Sequence, residues 1–169
     1  APLASKFSMF FNLRDTVPGL AKISEILFGF TAKRKLPKWR RDYFKNSELP
    51  NSIEENSTKT PVILFVDTFN RYYEPENVRS TINVLRSAGY FPFIPQSKKS
   101  NKPLCCGRTY LSNGLIDQAI LEAENILTTF YPYLKNGVSV VGLEPSCILS
   151  FRDELPSLIK NETADLLKD

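Results

Sequence analysis

The pattern of apolar and polar positions changes near residue 60. Before it, no strand-like alternation is present. Thr16-Val17-Pro18-Gly19-Leu20 reads as a helix start, and Leu20, Ile23, Ile26 and Leu27 recur at helical spacing up to a stop near Gly29. Leu36-Pro37-Lys38-Trp39 breaks the pattern. Glu48 to Thr60 is polar, rich in Asn, Ser and Glu, and reads as a linker with disorder expected. Residues 1–59 are therefore expected to form an arm of short helices that needs something else to pack on.

From Pro61 the chain becomes regular. Val62-Ile63-Leu64-Phe65-Val66 is a continuous branched apolar run, the signature of a buried strand. A loop is expected over Asp67–Glu74. Pro75 suits a first helical turn, and Glu76–Ala88 reads as a helix with Val78, Ile82 and Leu85 on one face, stopped by Gly89. Tyr90–Ile94 predicts a second strand, at an edge or irregular because of Pro92. After a polar loop, a long helix is expected from Ser112 or Asn113 to about Leu134, then a third strand over Val138–Gly142. A last helix is expected from Ser146 to Leu155 or beyond, with the tail after Lys160 able to continue it.

This alternation predicts an α/β fold: a three-layer, Rossmann-like domain over residues 60–169, with a short parallel sheet of three or four strands and right-handed crossovers. In such sheets functional groups gather at the carboxyl ends of the strands. Asp67 follows the first strand, Cys105 and Cys106 the second, and Glu144 and Cys147 the third, so all are expected on one sheet edge.

Composition narrows the chemistry. The net charge of +4 is small, and no basic stripe is interleaved with aromatics, so nucleic acid is not an expected partner. Lys33, Arg34, Lys35, Lys38, Arg40 and Arg41 form one local basic cluster, which reads as a solvated segment beside a partner domain or as a phosphate or lipid contact. No apolar run approaches the roughly 20 residues of a membrane span, and no signal peptide is expected. The start at Ala1 fits either Met removal or excision from a longer chain. With no histidine, the commonest acid/base group and nitrogen ligand is missing. Three cysteines, two of them adjacent, argue for a reducing compartment and for ligation or reactivity over a disulfide framework.

Taken in order, Phe65-Val66-Asp67-Thr68, Glu74-Pro75-Glu76-Asn77, Ala88-Gly89-Tyr90, Cys105-Cys106-Gly107-Arg108-Thr109 and Gly142-Leu143-Glu144-Pro145-Ser146-Cys147 resemble the CCG, or cysteine-rich, domain. That domain occurs in heterodisulfide reductases and in the iron–sulfur components of glycerol-3-phosphate, lactate (as in D-lactate dehydrogenase) and glycolate oxidoreductases (glycolate oxidase). The resemblance covers about Pro61 to Leu158. It is closest to bacterial fusions of an FAD-linked oxidase with an iron–sulfur oxidoreductase, of which this chain would be the first CCG copy. It implies partners within one polypeptide: an FAD domain, a ferredoxin-like segment and a second CCG copy, with the electron acceptor open. It also implies a cytoplasmic location, with peripheral attachment to the inner membrane left open.

The departures from that family matter. Asp67 or Thr68 stands where its first cysteine is expected, and Glu144 where the first of its Cys-x-x-Cys is. Only Cys105, Cys106 and Cys147 remain as thiols, whereas a [4Fe–4S] cluster prefers four. The resemblance implies an iron–sulfur cluster and FAD in the parent, and no cofactor in this chain alone; zinc is a further alternative. The residues themselves leave each role open. Cys105, Cys106 and Cys147 are redox or metal-ligand candidates, or small buried hydrophobes. Asp67, Thr68 and Glu144 are substitute ligands, or groups that shape the site. Gly107 permits a tight turn, and Arg108 contacts an anion or makes a surface ion pair. The first functional expectation is an electron-transfer domain of a larger FAD-dependent 2-hydroxy-acid oxidoreductase, not catalytic alone. The alternatives are a degenerate repeat scaffolding a cysteine-complete copy, and a thiol redox or zinc-binding domain.

Overall fold

The structure, a computed structural model, describes residues 2–53 and 58–159. The middle of the expected linker, residues 54–57, and the helical continuation expected after Lys160 lie outside the described residues. The arm contains α1 (Pro2–Lys6), α2 (Ser8–Asn12) and α3 (Leu20–Phe28), with 3-10 turns at Leu13–Asp15 and Asn46–Glu48. Then follow β1 (Thr60–Phe65), α4 (Thr68–Tyr72), α5 (Pro75–Ser87), β2 (Tyr90–Phe93), α6 (Arg108–Ser112), α7 (Ile116–Leu134), β3 (Ser139–Gly142), α8 (Pro145–Arg152) and α9 (Glu154–Leu158).

The three strands form one parallel sheet in the order β2-β1-β3. The continuous apolar run of β1 is explained by its central place: both faces are covered. Ile63 and Phe65 point into a cluster with Ala123, Ile126 and Phe130 of α7 and Phe151 and Leu155 of α8 and α9. Leu64 and Val66 join Val78 and Ile82 of α5 on the other face. Alternation at period two thus feeds two cores, which gives the α/β body its three layers.

The second core also takes Phe44 and Leu49, so residues before 60 supply apolar filling to the sheet's outer layer. Backbone bonds hold them there: Phe44 N–H donates to Arg71 O at 2.9 Å and Ile94 N–H to Pro50 O at 2.9 Å. Farther back, Asn12 pairs with both backbone groups of Trp39, each at 2.9 Å, and the Trp39 ring packs 4.6 Å from that of Tyr73. The arm leaves a broad apolar surface in solvent. Ile26 is 77% exposed, Phe28 71% and Phe10 70%.

Three sequence expectations are corrected. Asp67–Glu74 is not simply a loop, because Asp67 caps α4 within it. The long helix does not begin at Ser112 or Asn113: α6 ends there, Gly114 takes a left-handed φ of 72°, and α7 starts at Ile116. The last helix is split at Asp153, since the ring of Pro156 would strike the Arg152 carbonyl of a continuous helix. Among the described residues no helix is long and apolar enough to cross a membrane.

Candidate functional site

The register places two carboxylates in matching positions. Phe65 of β1 pairs with Gly142 of β3, and Asp67 and Glu144 each stand two residues farther on. Asp67 is 3% exposed. Its Oδ1 accepts from the N–H groups of Phe69 (2.8 Å) and Asn70 (3.0 Å), and its Oδ2 from the Asn70 amide (2.7 Å). Glu144 Oε1 accepts from Ser146 N–H at 3.3 Å and from the Ser146 hydroxyl at 2.6 Å. The Ser146 hydroxyl, then its N–H, hold the Glu144 carboxyl below the usual glutamate range. Both carboxylates are spent on helix amino-termini, where oxygen acceptors satisfy otherwise orphaned N–H groups. Thr68 is exposed at the first position of α4. Among the described residues no side-chain hydrogen bond or ion pair joins Asp67, Thr68 or Glu144 to a cysteine; Cys147 N–H donates only to the Glu144 backbone carbonyl, at 3.1 Å.

The cysteines do converge. Cys106 lies in the loop after β2 and Cys147 in the first turn of α8, yet their sulfurs are 3.0 Å apart and both are free. Cys106 is buried; Cys105 and Cys147 are half-buried. The neighbouring Cys106 thiol, then burial, raise the Cys105 thiol far above its ordinary value. At Cys106 the contact with Cys105 acts downward, but the hydrogen bond to Cys147 and burial outweigh it, and the thiol is pushed up to about 11.

Glycines set the approach of these elements. Gly107 has φ 76°, and a Cβ there would come within 3.2 Å of the Ala119 carbonyl of α7. A Cβ on Gly142 would collide with Ile148, so that glycine lets α8 settle against the end of β3. Arg108 bridges the same elements. Its Nη1 donates to Ser146 O (3.3 Å) and to Glu154 Oε1 (3.1 Å).

The paired thiols stand closer together than a shared metal ion would set them. Zn–S bonds near 2.3 Å in a tetrahedral site set two sulfurs roughly 3.8 Å apart. Cys106 and Cys147 are closer and touch each other. Among the described residues no group of three or more Cys, Asp or Glu side chains is placed to hold an ion.

Sequence reasoning missed two partners, Asn70 and Ser146, that fix the carboxylates. The spacings Asp-x-x-Asn and Glu-Pro-Ser carried that signal. It also missed Arg71, which is 4% exposed. The guanidinium donates to Asn46 Oδ1 (2.7 Å), Phe44 O (3.3 Å) and Val66 O (3.4 Å), and burial lowers its pKa. It borders a cavity of about 320 Å³ shared with Lys45 and Lys102.

No known protein-family profile matches the chain, and no solved structure matches it. Among curated proteins it is similar to D-2-hydroxyglutarate dehydrogenase of Haemophilus influenzae, 23% identical over 173 residues that take in 98% of this chain. The chain spans 16% of that relative's length. This distant likeness to a dehydrogenase agrees with the expected relation to hydroxy-acid oxidoreductases.

Proposed function

We propose that the chain is a degenerate CCG module of a larger FAD-linked 2-hydroxy-acid oxidoreductase, where it scaffolds a cysteine-complete copy within the electron-transfer region. The observation that carries this reading is the use of Asp67 and Glu144. The carboxylates at or beside the two positions where the resembled family has ligand cysteines are both committed to capping helices. The exposed Phe10, Ile26 and Phe28 of the arm support a packing role, since exposed apolar surface of this extent marks interaction sites. The small share of the dehydrogenase relative that the chain spans supports its place within a longer polypeptide.

A second reading keeps electron transfer in this copy itself. Cys105, Cys106 and Cys147 would ligate an iron–sulfur cluster that another part of the protein completes. The convergence of Cys106 and Cys147 from distant loops favours it. Anaerobic iron–sulfur reconstitution of the chain separates the two. The scaffold reading expects folded, colourless protein without stoichiometric iron. Stoichiometric iron with visible charge-transfer absorption overturns it in favour of the second reading, and one tightly held zinc per chain would point instead to a zinc domain.

A further inference from the structure

We propose that Cys106 and Cys147 close a reversible intramolecular disulfide that staples the loop after β2 to the first turn of α8. The two sulfurs already touch at 3.0 Å, and a further approach of about 1 Å reaches bonding distance. Three independent features hold them there. Gly107 seats the cysteine loop against Ala119 of α7. Gly142 seats α8 against β3 through Ile148. Arg108 ties α6 to Ser146 and Glu154. Prepositioning of this kind turns bridge closure into a favoured intramolecular step. The competing Cys105–Cys106 bridge joins adjacent residues and carries backbone strain.

The oxidant is a small-molecule disulfide. Cys147, the more accessible of the pair, attacks one sulfur of that disulfide as a thiolate. The small S–S bond breaks, one small thiol leaves, and a mixed disulfide forms on Cys147. Cys106 then attacks the Cys147 sulfur and expels the second small thiol. One protein S–S bond replaces one small S–S bond. Two electrons pass from the protein thiols to the small disulfide, and the two protons end on the released thiols. A small dithiol runs the exchange backwards. In a reducing compartment such a bond acts as a sensor of oxidation. The geometry of the pair suffices for this chemistry whatever larger protein surrounds the chain.

The test is titration of the metal-free chain with glutathione disulfide, read by free-thiol count and by mass mapping of peptides. Free thiols per chain should fall from three to one and return with dithiothreitol, and the peptide holding Cys106 should be joined to that holding Cys147. Cys105→Ser should still form the bridge, whereas Cys147→Ser should form none at Cys106. Retention of all three thiols, a stable glutathione adduct on Cys147, or a Cys105–Cys106 link would each overturn the proposal. The Cys105→Ser result decides the matter even if substitution at Cys106 or Cys147 disturbs folding.

Discussion

Asp67 and Glu144 do the same work on neighbouring strands. Each stands two residues past the paired ends of β1 and β3, and each turns its carboxylate onto the start of the helix that follows. Their environments differ. Asp67 is buried with three donors around it, while Glu144 is half-buried with Ser146 alone. The consequences of removing them should differ accordingly.

Asp67→Ala strips the cap of α4 and leaves the Asn70 amide and two N–H groups without their acceptor. Cap losses cost about 1–2 kcal/mol, and the burial of this one puts it at the upper end. Urea unfolding should show that loss, with Asp67→Asn intermediate. The count and reactivity of the thiols should stay unchanged. A changed thiol profile would show that Asp67 belongs to the cysteine site after all.

Glu144 gives an acid-side prediction. Its folded pKa is lowered, chiefly by the Ser146 hydroxyl. The stabilisation is therefore complete above the ordinary glutamate value of 4.5 and is lost as the pH falls through the lower folded value. Melting temperature followed from pH 6 downward (~pH 3 at the lowest) should fall less steeply in Glu144→Gln than in the parent.

The thiols give an alkaline counterpart. Cys106 is raised to about 11, so folding favours its protonated form. That contribution is whole below the ordinary thiol value of 9.0 and disappears as the pH rises toward 11. Denaturant midpoints should drop across this range. Cys106→Ser should flatten the drop. Alkylation of Cys106 in the folded chain should accelerate over the same interval.

Gly107→Ala tests how the cysteine loop is held. The left-handed backbone alone costs a side chain about 1–2 kcal/mol, and the new methyl meets the Ala119 carbonyl at 3.2 Å. The variant should unfold at lower urea and should alkylate faster at Cys106. Unchanged alkylation would mean that the loop keeps its place without the glycine.

The sheet was legible because β1 is an unbroken branched run and because Pro75 and Gly89 punctuate the helix beside it. The strand ends alone led to the expectation that the cysteine-bearing loops share one sheet edge, but not that the sulfurs of Cys106 and Cys147 would touch. Other parts were hidden for physical reasons. Helix α4 is too short to show periodicity and exists because Asp67 caps it. The breaks at Gly114 and Asp153 depend on one backbone angle and on a proline three residues downstream. The contribution of Phe44 and Leu49 to the core was masked by their polar neighbours, since local composition says nothing of which distant surface a lone aromatic will find.

The pairing of β1 with both its neighbours also favours one order of assembly. Thr60 meets Tyr90 across two helices, α4 and α5, whereas Val62 meets Ser139 only after α4, α5, β2, α6 and α7 have intervened. The shorter closure loses less chain entropy, so the β1-α4-α5-β2 unit is expected to close first and β3 to join last. Cys147 travels with β3. On that order the meeting of the two sulfurs comes with the final event of refolding, and the rate at which they come within bonding reach is expected to time the completion of the sheet.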